Sequence, residues 1–227
     1  MDVSLLSQAP LFQGVPPKEL ESLLSCLGAS VRRYRRGERV LRAGEAVTSL
    51  GLVLSGSVLI ESAGFWGGSA VLDRAGPGQI FAETYACLPG EPLLVDVTAG
   101  EDAELLFLAA ERILTPCPRA CPRHAALIRS LLALSARKNL ILSRKILHTA
   151  PKTVRERLLS YLSDQSLRAG SRSFTIPFDR QQLADYLSVD RSALSAEIGR
   201  LRREGVLTSR RSEFTLCDAE NGHFSRS

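Results

Sequence analysis

The stretch from Phe178 to Leu207, FDRQQLADYLSVDRSALSAEIGRLRREGVL, leaves this chain the least conformational freedom. Asp179 is a good N-cap, and Gln182 three residues on can close a capping box, which predicts a helix over Arg180 to Leu187. Leu183, Ala184 and Leu187 form its inner face. Ser188 and Val189 make a turn. Asp190 then caps a second helix, from Arg191 to about Glu204, with Gly205 as its C′ stop. Leu194, Ile198 and Leu201 are the buried stripe of that helix. Ala184 is small, as two helices crossing beside a tight turn require. Two short amphipathic helices so joined are a helix-turn-helix.

Sequence-specific DNA binding needs an exposed helix end that can enter a major groove about 12 Å wide, with donor-bearing or small side chains in its first turns. Arg191, Ser192 and Ser195 answer that description. An ordinary helical hairpin with a solvated basic face would share the pattern, and the continuation weighs against it. Val206 to Thr208 and Phe214 to Leu216 read as two short strands around the basic tip Ser209-Arg210-Arg211-Ser212, with Ser173 to Ile176 available as a third strand. This is a wing, placed to set Arg210 and Arg211 on phosphates. Arg180, Gln181, Arg200 and Arg203 are further candidate backbone contacts, with solvated charge as the alternative for the arginines.

The charge distribution supports a polyanionic partner. Residues 1–111 carry 8 basic and 14 acidic side chains, residues 112–150 carry 8 basic and none acidic, and residues 151–227 carry 13 and 10. No apolar run approaches the length of a membrane span, and Met1 to Gln13 lacks the pattern of a signal peptide, so a cytoplasmic protein with no membrane partner is expected. Five cysteines in an otherwise ordinary composition do not look like a secreted disulfide framework.

Upstream, Lys18 to Leu27 has the leucine spacing of a short helix, and after Gly28 the texture becomes β. Val31 to Tyr34, Val40-Leu41, Leu50 to Ile60 broken at Ser55-Gly56, Ala70 to Leu72, Ile80-Phe81, Leu93 to Thr98 and Glu104 to Leu108 are short strands separated by glycine turns, with a loose glycine-rich tip at Phe65 to Ser69. Such strands close into a sandwich or roll. Pro118 to Thr149 then reads as one long helix. His124, Leu127, Ile128, Leu131, Leu132, Leu134, Ile141, Leu142 and Ile146 cover more than one of its faces, so one stripe can pack on the roll and another on a partner copy. Lys152 to Leu167 is a further amphipathic helix, with Val154, Leu158, Leu159 and Leu162 inward. The fold class expected is α+β.

The order of a Leu-Phe helix, RRGERVLRAGE, LGLVLSGSVLI, GPGQIFAE and EDAELLFL, followed by the long helix and FTIPFDRQQLADYLSVDRSALS, resembles the Crp/Fnr family of bacterial transcription regulators over nearly the whole chain. The resemblance implies a double-stranded β-helix or jelly-roll effector domain over residues 1–116, a dimerisation helix over 117–149 and a winged helix-turn-helix domain over 150–227. It implies a C2 homodimer on an inverted-repeat operator in double-stranded DNA, RNA polymerase as a further partner, and control by a small effector through a hinge at Thr149-Ala150-Pro151. Phe81-Ala82-Glu83, with Thr84 next, stands where the family has its F-G-E cassette, and Glu83 would accept from a ribose hydroxyl. Phe81 and Glu83 merely holding a turn is the alternative.

The chain also departs from the family. Glu91-Pro92-Leu93-Leu94-Val95 offers neither the Arg nor the hydroxyl that would hold a cyclic phosphate, and burying that phosphate unpartnered carries a penalty of several kcal/mol, so cyclic AMP is not the expected effector. Ala196 replaces the usual guanine-reading Arg, and Glu197 stands where many such proteins keep an apolar residue.

Cys117, Cys121 and His124 form a C-x3-C-x2-H cluster just before the long helix. It reads first as a structural joint and otherwise as a metal or redox site, although the spacing is not a standard zinc pattern, so no metal or cofactor is assigned. Cys26 alone does not supply the cysteine cluster by which the family's oxygen-sensing branch holds iron-sulfur. Cys87 and Cys217 read as core residues. His124, His148 and His223 are the only histidines, and none sits beside a nucleophile in a recognisable motif, so no enzyme is expected. The rival to a DNA-binding regulator is a ligand-, metal- or redox-sensing module acting through protein partners.

Overall fold

The computed structural model describes residues 3–62, 70–115 and 122–217. The chain divides into two compact units, residues 1–137 and 138–227, so the long helix contributes its first half to one and its second half to the other. Cys117 and Cys121, the tip at Phe65 to Ser69, and His223 lie outside the described residues.

The first unit opens with helix α1 (Val3–Gln8), a 3-10 turn (Pro10–Phe12) and helix α2 (Pro17–Cys26). Strands β1 (Ser30–Tyr34), β2 (Arg39–Leu41), β3 (Ser49–Ser55), β4 (Val58–Ser62), β5 (Ala70–Ala75) and β6 (Ile80–Phe81) follow. Helix α3 (Glu83–Ala86), strands β7 (Val95–Ala99) and β8 (Ala103–Ala109), helix α4 (Ala110–Leu114) and the start of helix α5 (Pro122–Thr149) complete it. The strands form two antiparallel sheets, ordered β1-β8-β3-β6 and β2-β7-β4-β5.

Alternation along β3 and β8 explains why the unit closes into a roll backed by helices. Leu105 and Phe107 join Val53, Val58, Phe81 and Val97 in the core between the sheets. Leu106 and Leu108 turn the other way, with Leu50 and Leu52, onto Leu20 and Leu23 of α2, Phe12 and Leu127 of α5. Successive strand residues face opposite sides, so a strand apolar on both faces must be covered twice. Gly56 ends β3 with φ +74°, and a Cβ there would lie 2.3 Å from the Asp102 carbonyl oxygen. That position admits only glycine.

The second unit contains the end of α5, then helix α6 (Val154–Ala169), strand β9 (Ser173–Thr175), helices α7 (Arg180–Leu187) and α8 (Arg191–Arg203), and strands β10 (Leu207–Arg210) and β11 (Glu213–Leu216). Its small sheet is ordered β10-β11-β9. Leu158, Tyr161, Leu162, Leu183, Leu194 and Phe214 are among the residues of its core.

Two expectations shift. Helix α6 starts at Val154 rather than Lys152, because Thr153 accepts from the Glu156 amide and Glu156 reaches back to the Thr153 amide, a capping box that fixes the start. Cys217 is exposed at the end of β11 rather than buried, its N–H donating to Val206, while Cys87 is half-buried against the helical core. Among the described residues, no helix is long and apolar enough to cross a membrane.

Gly51 has the least room of the described glycines, since a Cβ there would lie 2.0 Å from the Phe81 ring. We expect Gly51→Ala to destabilise the roll by about 1–3 kcal/mol of overpacking, read as a lower urea midpoint, with little change in a control such as Gly76→Ala, where a Cβ meets nothing nearer than 3.9 Å.

Candidate nucleic-acid interface

The two helices of the motif form with the predicted caps. The Asp179 side chain accepts from the Gln182 amide at 2.8 Å, and Gln182 accepts from the Asp179 amide at 2.9 Å. Asp190 accepts from the Ser192 and Ala193 amides at the start of α8, and the Ser192 hydroxyl donates to the same carboxylate oxygen. These bonds hold the Asp190 carboxyl below the usual carboxylate range, the Ser192 hydroxyl being the largest cause. Between the helices Ser188 is left-handed, with φ 54°.

Behind α8, Leu194, Ile198 and Leu201 are buried; in front, Arg191, Ser192, Ser195 and Ala196 are exposed. The helix thus presents a small-residue face whose one cation in the first turn is Arg191. Arg180 is placed differently. Its guanidinium stacks over the Phe214 ring at 5.0 Å, with Nη2 reaching Ser209 Oγ at 3.4 Å, so it ties α7 to the wing. Burial, then Arg202, pulls its pKa down. Gln181 donates to Asp185 at 2.8 Å along its own helix. Arg200 pairs with the buried Glu197 at 2.9 Å. Arg210 is exposed on β10, and Arg211 stands at the wing tip with φ 53°. A groove of about 570 Å³ between the second half of α8 and β10 is lined in part by Gly199, Arg202, Arg203, Thr208 and Arg210. Arg202, absent from the sequence-derived set, belongs to this basic wall; the run RLRRE was its signal.

Two further arginines had no signal in the local pattern. Arg157 of α6 donates from Nε to the Pro151 carbonyl at 2.7 Å and from Nη1 to the Leu187 and Ser188 carbonyls at 3.2 and 3.0 Å. It satisfies the open C-terminus of α7 and ties the helix-turn-helix turn to the segment after α5. Arg155, two residues earlier, reaches Glu197 and Glu204.

The end of α5 is held by His148, which is buried. Its Nδ1 lies 2.9 Å from the Tyr186 hydroxyl of α7, its ring meets Tyr161 of α6 edge-on, and its Nε2 is 3.8 Å from Asp164. Burial pushes the imidazole pKa down, opposed by Asp164 and reinforced by Arg144. The folded ring therefore stays neutral to a lower pH than a free one.

In the effector cassette, the structure separates the four candidate residues. Phe81 points into the core between the sheets, edge-on to Phe107 at 6.1 Å. Ala82 is left-handed, with φ 58°, the conformation in which the family's glycine costs nothing and alanine about 1–2 kcal/mol. Glu83 is buried at the start of α3 and Thr84 is exposed. In the segment that lacks an Arg, Leu93 is buried and Leu94 is exposed.

Models of two known domains match the chain: the cyclic nucleotide-binding domain over residues 31–117 and the Crp-like helix-turn-helix domain over residues 156–221. A sensor roll and a DNA-binding head in one chain define a transcription regulator, not an enzyme. The cyclic AMP receptor protein of Thermus thermophilus is 33% identical over 130 residues, which span 57% of this chain and 58% of that one. The transcriptional activator protein FnrA of Stutzerimonas stutzeri is 27% identical over 202 residues, 83% of this chain and 77% of that one. The crystal structure of the Thermus thermophilus catabolite activator protein superposes with a TM-score of 0.50 at 27% identity, covering 92% of this chain and 94% of that one. The chain belongs to the Crp/Fnr family.

The neutral His148 has a consequence for stability. Below about pH 6.5 the unfolded chain takes up a proton that the folded ring resists, so stability falls with pH from there towards the depressed pKa. We expect the resistance of the wild type to urea to fall between about pH 7 and pH 5, and His148→Gln to remove that part of the dependence. A dependence unchanged by the substitution would assign it to other groups.

Proposed function

We propose that this regulator binds an inverted-repeat operator as a homodimer, through the N-terminal turns of α8, under the control of an effector other than cyclic AMP. The observation that carries the DNA reading is the exposed start of α8, with Arg191, Ser192 and Ser195 outward and Leu194, Ile198 and Leu201 buried behind. Bases are read by Arg191, Ser192 and Ser195. Arg210 and Arg211 of the wing, with Arg180 and Gln181 at the head of α7, lie on phosphates and fix register. The functional division follows the chain: an effector roll over 1–116, a dimerisation helix over 117–149 and the DNA-binding head over 150–227. RNA polymerase is the further partner, and the cytoplasm the place of action.

Dimerisation is supported by what α5 leaves uncovered. Leu132, Leu140, Ile141, Leu142, Ile146 and Leu147 are each more than half exposed, on a helix whose Leu127 and Leu131 are buried within the first unit. Rows of large apolar side chains on one helix mark an association surface. We expect Ile141→Glu with Leu142→Glu to convert a dimer to a monomer in sedimentation, with the far-UV spectrum unchanged.

The effector reading rests on the cassette. The named relative from Thermus thermophilus is a cyclic AMP receptor, but residues 91–95 here supply no cation or hydroxyl for a cyclic phosphate. Phe81, Ala82, Glu83 and Thr84 remain the effector segment in this reading, with Glu83 its polar contact.

The DNA reading is tested by selecting duplexes from a randomised pool and measuring binding against salt. Enrichment of an inverted repeat, with affinity falling steeply as salt rises, is expected; a protein-interaction module gives neither. Arg191→Ala should weaken the selected operator by about 1–3 kcal/mol and leave random DNA nearly unchanged. An equal loss on random DNA would place Arg191 on the backbone instead.

A further inference from the structure

Glu197 occupies a position where an apolar residue would pack, yet it is a carboxylate with only 8% of its side chain exposed. A buried carboxylate needs partners, and it has two guanidinia. Its Oε2 accepts from Arg200 Nη1 at 2.9 Å, and its Oε1 lies 3.5 Å from Arg155 Nη1. The other prong of Arg155, Nη2, donates to Glu204 Oε2 at 2.6 Å. Glu204 is the C-cap residue of α8. Glu197 and Glu204 are seven residues apart, two helical turns or about 10.5 Å along one face. One guanidinium therefore grips the recognition helix at its middle and at its end.

The anchor of that grip is itself fixed. Arg155 is the second residue of α6, inside the first turn that the Thr153–Glu156 capping box fixes. The hydrogen bond from Arg155 holds the Glu204 carboxyl below its ordinary range, and the bonds to Glu204, then Glu197, raise the Arg155 pKa. Leu194, Ile198 and Leu201 also hold α8, but apolar contacts permit small rotations and slides. A planar fork shared between two carboxylates on one helix face is directional. Buried ion pairs give little net stability compared with apolar packing, so directionality is the more telling property of this one.

We propose that Arg155 is a positioning residue for DNA recognition: through Glu197 and Glu204 it sets the rotation and depth of α8, and Arg200 serves this network rather than a phosphate. The four side chains carry two positive and two negative charges, so in the free protein they offer no net attraction to DNA. This rests on the DNA-binding reading above. It also fits the small-residue face of α8, because short side chains such as Ser192 and Ser195 reach base edges only if the helix axis is held at one distance from them.

The test uses the full-length protein, the duplex enriched from the randomised pool and a random-sequence duplex of equal length. Arg155→Lys keeps the charge and removes the fork. We expect it to bind random DNA as the wild type does, with an unchanged salt slope, while its operator-to-random ratio falls by about tenfold or more. Glu197→Gln should lower the same ratio, and serves if Arg155→Lys folds poorly. The double variant Arg155→Met with Glu197→Leu should regain thermal stability without regaining discrimination. Arg200→Ala should leave the salt slope unchanged; a slope shallower by about 0.9 would place Arg200 on a phosphate and overturn that half of the proposal. A ratio preserved in Arg155→Lys and Glu197→Gln, beside a discriminating wild type, overturns the positioning role alone. A wild type that enriches no sequence overturns the DNA-binding reading and this inference with it.

Discussion

A recognition helix works only if one of its faces is left bare while the other is immobilised, and the second unit is built round that constraint for α8. Its bare face cannot contribute to stability, so the restraint comes from behind and from both ends. Leu194, Ile198 and Leu201 supply the apolar share, Asp190 closes the N-terminus, and the ion network from α6 holds the middle and the C-cap. The wing is anchored to α7 through Arg180 over Phe214, so the basic tip and the helix pair share one support. Arg157 and His148 extend the same framework to the residues that close α5.

How much of this the sequence discloses depends on the range of the interaction. Capping, turn chemistry and the i, i+4, i+7 stripe act within a few residues, and they locate α7, α8 and the wing strands almost to the residue. The short strands of the roll are legible for the same reason, because glycine turns and alternation are local. Arg155, Arg157 and the His148–Tyr186 contact join residues 30 to 49 positions apart, and nothing in their neighbours announces a partner. Glu197 shows both sides of this limit. Its departure from an apolar pattern is visible in the chain, but its meaning depends on an arginine in another helix.

The candidate DNA contacts divide along the same line. Arg191, Ser195 and Arg210 are exposed as the pattern suggests. Arg180 and Arg200, which look equivalent in a list of basic residues, are each engaged by a neighbour brought close by the fold. In the roll, Phe81 is legible as part of a motif but acts as a core side chain over Gly51, which is why a motif match and a binding contact are separate matters.

Arg211 carries one more consequence. It adopts φ 53° at the wing tip, a conformation glycine takes freely and a long side chain takes at a cost of about 1 kcal/mol or more. Thermal robustness and electrostatic reach are therefore opposed at a single site: relaxing the backbone means giving up a cation. Selection for a sturdier protein and selection for a longer residence on nucleic acid would pull that codon in different directions.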